Sequence, residues 1–189
     1  FDNVAALGES STLVKDLSNH GNDGVVNSSV TWTSDGIWWW SYNFAWWNIN
    51  AWNDESLRMV NNFTVSAWIK TTKTNSSNTY FLWRYDASND KRVWGIIIPA
   101  NKKTVWFYWS TNWSSPNVSA QWTKIVADWK RHLVTMAHNW SKMKLYVDWI
   151  EDAIATNTSL FNTDTNFVIS NSSSFQWQID EVRVYDRAL

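Results

Sequence analysis

The sequence predicts an all-β chain, an antiparallel β-sandwich, from three observations. Apolar and polar residues alternate with a period of two over several short runs. Turn-forming pairs recur between those runs, and no stretch of helical period extends beyond two turns. The clearest run lies in His132 to Trp149, where Met143, Leu145 and Val147 share one face while Lys142, Lys144, Tyr146 and Asp148 share the other. A strand with one dry and one wet side has that pattern. Leu133 and Val134 lead a shorter strand ahead of it, and Asn139-Trp140 stands between the two where a tight turn belongs.

In chain order, residues 1–23 read mostly as loop, and Val25 to Val30 begins the strands. Ser41 to Ala45 follows. Phe63 to Lys70 alternates, with Phe63, Val65, Ala67 and Ile69 on one face and Thr64, Ser66, Trp68 and Lys70 on the other. Thr71 to Thr79 is polar and reads as a loop. Tyr80 to Leu82, Arg92 to Ile98 and Val105 to Tyr108 are three further strands, the second ended by Pro99, which cannot donate to a ladder. Asn117 to Ala127 gives a strand before Asp128-Trp129. After the hairpin, Ile150 to Ala155 carries the chain back, Phe167 to Ser170 is short, and Gln178 to Tyr185 closes the sheet.

With 189 residues the chain has the size of one domain and can bury a full sandwich core. Its net charge of −1 gives no electrostatic case for nucleic acid or for an anionic membrane surface. No run of 18 apolar residues is present, so no helical membrane insertion is expected. Absence of cysteine excludes disulfides and thiolate metal sites. Asn-Xaa-Ser/Thr triplets, as at Asn27, Asn62 and Asn157, read as chance in so Asn- and Ser-rich a chain.

Tryptophan is the anomaly. The chain holds 18 Trp and only 5 Gly, whereas average usage of roughly 7% would supply about 13 Gly. Asn112-Trp113, Asp128-Trp129, Asn139-Trp140 and Asp148-Trp149 all put Trp second in a dipeptide where a hairpin turn wants Gly. A bulky L-residue in the left-handed region costs about 1–2 kcal/mol. Most Trp are therefore read here as Gly positions, written as Trp because UGA codons were decoded in the wrong table, a pattern that fits a metagenomic origin. Trp68 and Trp94 read as authentic, Trp32 and Trp38 stay open, and the rest read as Gly. On this basis Trp113, Trp129, Trp140 and Trp149 belong at exposed turns, and Trp68 should be more buried than any of them.

With Gly in place of Trp140 and Trp149, the run that starts at Asn139 reads Asn-Gly-Ser-Lys-Met-Lys-Leu-Tyr-Val-Asp-Gly. It resembles the hairpin of laminin-G-like domains in the concanavalin A-like lectin/glucanase superfamily. Phe175 to Leu189 is similar to that family's closing strand, with Trp177 where the family has Gly. Phe63 to Lys70 resembles its central strand, in which a Trp is expected. The loop bearing Asp16, Ser18, Asn19, Gly21 and Asn22 looks like its Asp-x-Ser-Gly-x-Gly-Asn segment, with Asn19 in place of Gly. The resemblance implies a jelly roll of two packed antiparallel sheets, a single domain over residues 1–189, and excision from a longer chain. It also implies a structural calcium ion held by Asp16, Asn22 and Asp180, tying the early loop to the closing strand; calcium wants six to eight oxygens. The competing view is that Asp16 and Asn22 only shape turns.

Catalysis finds little support. A retaining glycosidase needs two carboxylates about 5–5.5 Å apart. Glu9, Glu55, Glu151 and Glu181 show no spacing that would place two on one strand face, and Asp180 and Glu181 are adjacent, hence on opposite faces. His20, His132 and His138 have no metal-ligand spacing; His132 and His138, expected on neighbouring strands, are the pair that could approach each other. Tyr80, Tyr85, Phe107 and Tyr108 are available for stacking on a sugar, or for the core.

The expected function is a non-catalytic carbohydrate-binding or adhesive module of a secreted or cell-surface bacterial protein. Its partner would be a glycan or an extracellular protein, met by a monomeric module through a sheet face or rim loops. The alternatives are a spacer domain without a ligand of its own and, less favoured, a glycan-degrading enzyme.

Overall fold

The computed structural model describes residues 12–27, 30–38, 40–45, 47–72, 74–86, 91–110, 118–156, 160, 164–170 and 176–189. The early strands are short: β1 (Leu13–Val14), β2 (Gly24–Val26), β3 (Val30–Thr33), β4 (Ser41–Phe44) and β5 (Ile49–Asn50). After a single 3-10 turn, Glu55–Leu57, come β6 (Asn62–Lys70), β7 (Thr79–Asp86), β8 (Lys91–Ile98), β9 (Thr104–Trp109) and β10 (Val118–Ile125). The chain closes with β11 (Arg131–Asn139), β12 (Lys142–Val147), β13 (Ile150–Thr156), β14 (Phe167–Ile169) and β15 (Trp177–Tyr185). They form two antiparallel sheets, one of eight strands ordered β1-β2-β5-β14-β7-β8-β9-β10 and one of seven ordered β13-β12-β11-β6-β15-β4-β3. The expected all-β sandwich is what the chain adopts. Strands β1 and β5 are absent from the sequence reading, since two residues carry too few alternations to register as periodic, whereas β14 lies where a short strand was expected.

Alternation decides which residues meet between the sheets. From the seven-stranded sheet, Phe63, Val65, Ala67 and Ile69 of β6 and Met143, Leu145 and Val147 of β12 point inward, as their spacing predicts. From the other sheet come Trp94, Ile96, Phe107 and Trp109. Phe63 stacks on Trp94 across the interlayer at 6.1 Å, and Trp94 meets Phe107 at 6.2 Å and Phe167 at 5.9 Å. Asp152 of β13 ties one edge of the sandwich by accepting from Thr123 N, Thr123 Oγ1 and Lys124 N of β10.

The turns bear directly on the tryptophans. Asp148 and Trp149, the two central residues of the β12–β13 hairpin, both have positive φ (53° and 68°), as a type I′ turn requires. At β11–β12 the two central residues are Trp140 and Ser141, not Asn139 and Trp140, because Asn139 still pairs with Lys142. Trp140 at φ 43° takes the first central position, where type II′ turns favour Gly. Trp129 (φ 75°) and Trp52 (φ 61°) are also left-handed, so Trp supplies half of the eight non-Gly residues with positive φ among the described residues. Trp52, Trp129, Trp140 and Trp149 are 54%, 48%, 64% and 78% exposed, while Trp68 is half-buried, as expected. Trp113 lies outside the described residues.

Not every tryptophan follows that pattern. Trp109 ends β9 and Trp122 lies within β10, both with no exposed surface, where Gly would leave a void. For these two the expectation of a Gly position gains nothing from backbone geometry. The indole N–H groups of Trp83, Trp94, Trp106, Trp109 and Trp122 are buried without an acceptor. Buried Trp N–H groups usually find one. Trp94, expected to be authentic, shares this defect.

Candidate functional site

A cavity of about 530 Å³ lies on the outer face of the seven-stranded sheet. Register builds its floor row by row. Leu133 and Trp68 stand side by side on β11 and β6, with Asp180 of β15 next in register but outside the lining; Thr135, Ser66 and Arg183 form the next row, extended by Tyr146 on β12. Thr64 and Tyr185 form the last. A β-bulge in β15, centred on Glu181 at φ 48°, turns Glu181 and Arg183 toward the same groove. Sequence periodicity alone would have put Asp180 and Arg183 on opposite faces, because a bulge shifts the alternation by one.

Three loops wall the groove. Ile37 and Trp38 come from the β3–β4 loop, which Asp180 fixes by accepting the Ile37 N–H at 2.7 Å. Burial pushes the Asp180 carboxyl up from the ordinary carboxylate range, against the pull of those backbone donors. Trp149 enters from the β12–β13 turn, and Leu189 from the tail, where Thr64 Oγ1 donates to Arg187 O at 2.8 Å and accepts from Leu189 N at 3.0 Å. Beyond Trp68, Arg131, Lys70 and Gln178 form one more row, and all three bond Asp35 of the β3–β4 loop, at 2.5, 2.6 and 3.1 Å. Lys70 and then Arg131 hold the Asp35 carboxyl far below the ordinary range.

His132 pins the turns beside the groove. Its Nδ1 lies 2.8 Å from Asp148 Oδ2 and its Nε2 3.0 Å from Asp128 Oδ1, so one ring bridges two turns. His138 lies on the same strand as His132, six positions along, not on a neighbouring one. Six residues of strand are about 20 Å, so the two rings do not meet. His138 packs on Phe63 at 5.5 Å.

A second cavity of about 420 Å³ opens between the β1–β2 loop and β15 and contains two of the residues expected to bind calcium. Asp16 accepts from Ser18 N (2.9 Å), Ser18 Oγ (2.7 Å) and Asn22 N (2.8 Å), and Gly21 takes φ 70° in the same turn. Asn22 donates to Ser56 Oγ. Asp180 is not in this cavity; its carboxylate serves Ile37 N and Glu181 N, and β15 contributes Glu181 instead. Asp180 thus stands apart from the cavity that Asp16 and Asn22 line, and among the described residues no group of three His, Asp or Glu side chains could hold a metal ion.

The aromatic candidates divide between faces. Phe107 is core. Tyr80, Tyr85 and Tyr108 lie on the outer face of the eight-stranded sheet, gathered by Trp83: Tyr80–Trp83 is 5.2 Å, Trp83–Tyr85 5.1 Å and Tyr80–Tyr108 5.8 Å. Gly95 lets Tyr108 lie flat against β8, since a Cβ there would come within 2.6 Å of the ring. These rings pack on one another, and Tyr108 is buried.

Residues 48–189 match a family described as the concanavalin A-like lectin/glucanases superfamily. The chain belongs to that superfamily. Solved structures of similar fold include domain 4 of AbnA, an extracellular arabinanase from Geobacillus stearothermophilus in complex with arabinotriose. It is 17% identical, with a TM-score of 0.66 over 87% of this chain and 79% of that one. A botulinum neurotoxin type C structure, described through its interaction with two ganglioside molecules, is 15% identical, with TM-score 0.69 over 95% of this chain and 49% of that one. Trypanosoma rangeli sialidase with sialic acid is 13% identical, TM-score 0.65, over 96% of this chain and 32% of that one. The chain thus spans under half of the neurotoxin and sialidase chains. No match is found among curated proteins. At such identities the likeness shows the fold alone.

Proposed function

We propose that this superfamily member is a non-catalytic carbohydrate-binding or adhesive module, acting as a monomer within a secreted or cell-surface bacterial protein. The observation that carries the reading is the groove on the seven-stranded sheet. Hydroxyls of Ser66, Thr135 and Tyr146 stand beside the half-buried Trp68, the mixture of polar groups and one aromatic surface that a sugar ring requires. The neighbours solved with arabinotriose and sialic acid make a glycan the first ligand class to try; an extracellular protein is the second. Glu181 is the one acidic side chain among the groove's lining residues, and it is engaged by Arg183. Both catalytic geometries of glycoside hydrolysis need a second carboxyl. Glycan-array binding by the full chain, lost in Trp68→Ala, tests the proposal; silence across the array would favour a spacer role.

We also infer that Trp52, Trp129, Trp140 and Trp149 occupy natural Gly positions. Their positive φ and exposure support this, since four such residues together cost about 4–8 kcal/mol, comparable with a whole domain's stability of about 5–15 kcal/mol. UGG codons at those positions would end the inference. Trp68 reads as authentic, so the groove keeps that aromatic surface, while Gly at position 149 would open the wall that Trp149 forms.

A further inference from the structure

We propose that the groove selects uncharged glycans and rejects sialylated or uronic ones, an inference that rests on the glycan-binding reading above. Acidic sugars are usually held by an Arg or Lys whose charge no neighbouring carboxylate already balances. Among the described residues, every cation on the groove's rows stands against a carboxylate. Arg183 donates both Nε, at 2.9 Å, and Nη2 to Glu181 Oε2. Lys70 and Arg131, one row beyond Trp68, both serve Asp35. Lys144, in the row of Thr64 and Tyr185, bonds Glu151 at 2.9 Å.

Each of these cations is therefore balanced by a carboxylate standing beside it. An entering carboxylate would meet Glu181 and Asp35 without a free counter-charge, and like charges brought together oppose binding. An uncharged sugar faces no such barrier. The Arg183–Glu181 pair offers it a donor and an acceptor side by side, next to the hydroxyls of Ser66 and Thr135. The exposed Lys142 and Arg187 do not line the groove.

The test is calorimetric titration of the full chain with matched pairs: lactose against 3′-sialyllactose, and neutral arabinose, glucose and galactose trisaccharides against trigalacturonate. Binding of a neutral member, with its acidic counterpart at least about tenfold weaker, is the expected result. The neutral affinity should also stay within about twofold between roughly 0.05 and 0.5 M salt, since no ion pair forms on binding. Glu181→Gln unties Arg183 and should narrow the gap by up to about fivefold, the worth of one exposed pair. Asp35→Asn, which frees Lys70 and Arg131, gives the same readout if the first variant fails to fold. Tighter, salt-sensitive binding of the acidic members would overturn the selectivity while leaving a glycan-binding module. Binding of neither set by the folded chain would overturn the module and the selectivity together.

Discussion

Replacing Trp149 with Gly should stabilise this protein, an unusual expectation for removing its largest type of side chain. Trp149 holds φ 68° with 78% of its surface exposed. The left-handed conformation costs an L-residue about 1–2 kcal/mol, and so exposed a ring returns little by burial. Gly gives back about 0.4–1 kcal/mol through its freer unfolded chain. The net gain is about 1 kcal/mol, or a rise in Tm of about 2–4 °C for a chain of this length. Trp140→Gly, at φ 43° and 64% exposed, should behave alike. Trp129→Gly should gain almost nothing, because Lys70 Nζ sits 5.1 Å from that ring and such a contact is worth about 0.5–1 kcal/mol. Trp94→Gly, with no exposed surface, should lose about 3–5 kcal/mol or more. Thermal and urea unfolding followed by far-UV circular dichroism reads all four. A fall in Tm for both Trp140→Gly and Trp149→Gly would refute the reasoning.

Other expectations concern the supports of the groove and the early loop. His132→Ala removes a side chain bonded to two carboxylates and should cost about 2–3 kcal/mol in urea unfolding. Asp152→Ala, which unties the two sheet edges, should cost about 1–3 kcal/mol in the same assay. Asp35, held far below the ordinary range by Lys70 and Arg131, contributes stability that is fully present above its unfolded value of about 3.9 and lost as pH falls below it. Asp35→Asn should therefore flatten the dependence of Tm on pH below about 4. Adding calcium or a chelator should leave Tm unchanged, because Asp16 and Asp180 spend their oxygens in separate places. A calcium-dependent rise in Tm would restore the expected ion.

The sandwich was legible because its long strands obey simple alternation. Phe63 to Lys70 and Lys142 to Val147 present to core and solvent the residues their spacing assigns. Gly-demanding turns were legible too, though the register moved the β11–β12 turn by one residue. The groove was not. It depends on the bulge at Glu181, which brings Arg183 onto the face of Asp180, and on Asp35 reaching across three strands from a loop. Nothing local in the sequence encodes either event. The calcium expectation paired Asp16 with Asp180 by family position, whereas the fold turns Asp180 toward Ile37 and sends Glu181 to the Asp16 cavity. Of the aromatic candidates, Phe107 went to the core by the same alternation that sent Tyr108 outward.

The most direct test is a heteronuclear NMR titration of the isotope-labelled full chain with a neutral trisaccharide that it binds. The account expects the shifts to concentrate at Ser66, Trp68, Thr135 and Tyr146 on the seven-stranded sheet. Shifts confined to Tyr80, Trp83, Tyr85 and Tyr108, with the Trp68 indole unmoved, would place the ligand on the opposite sheet and contradict it.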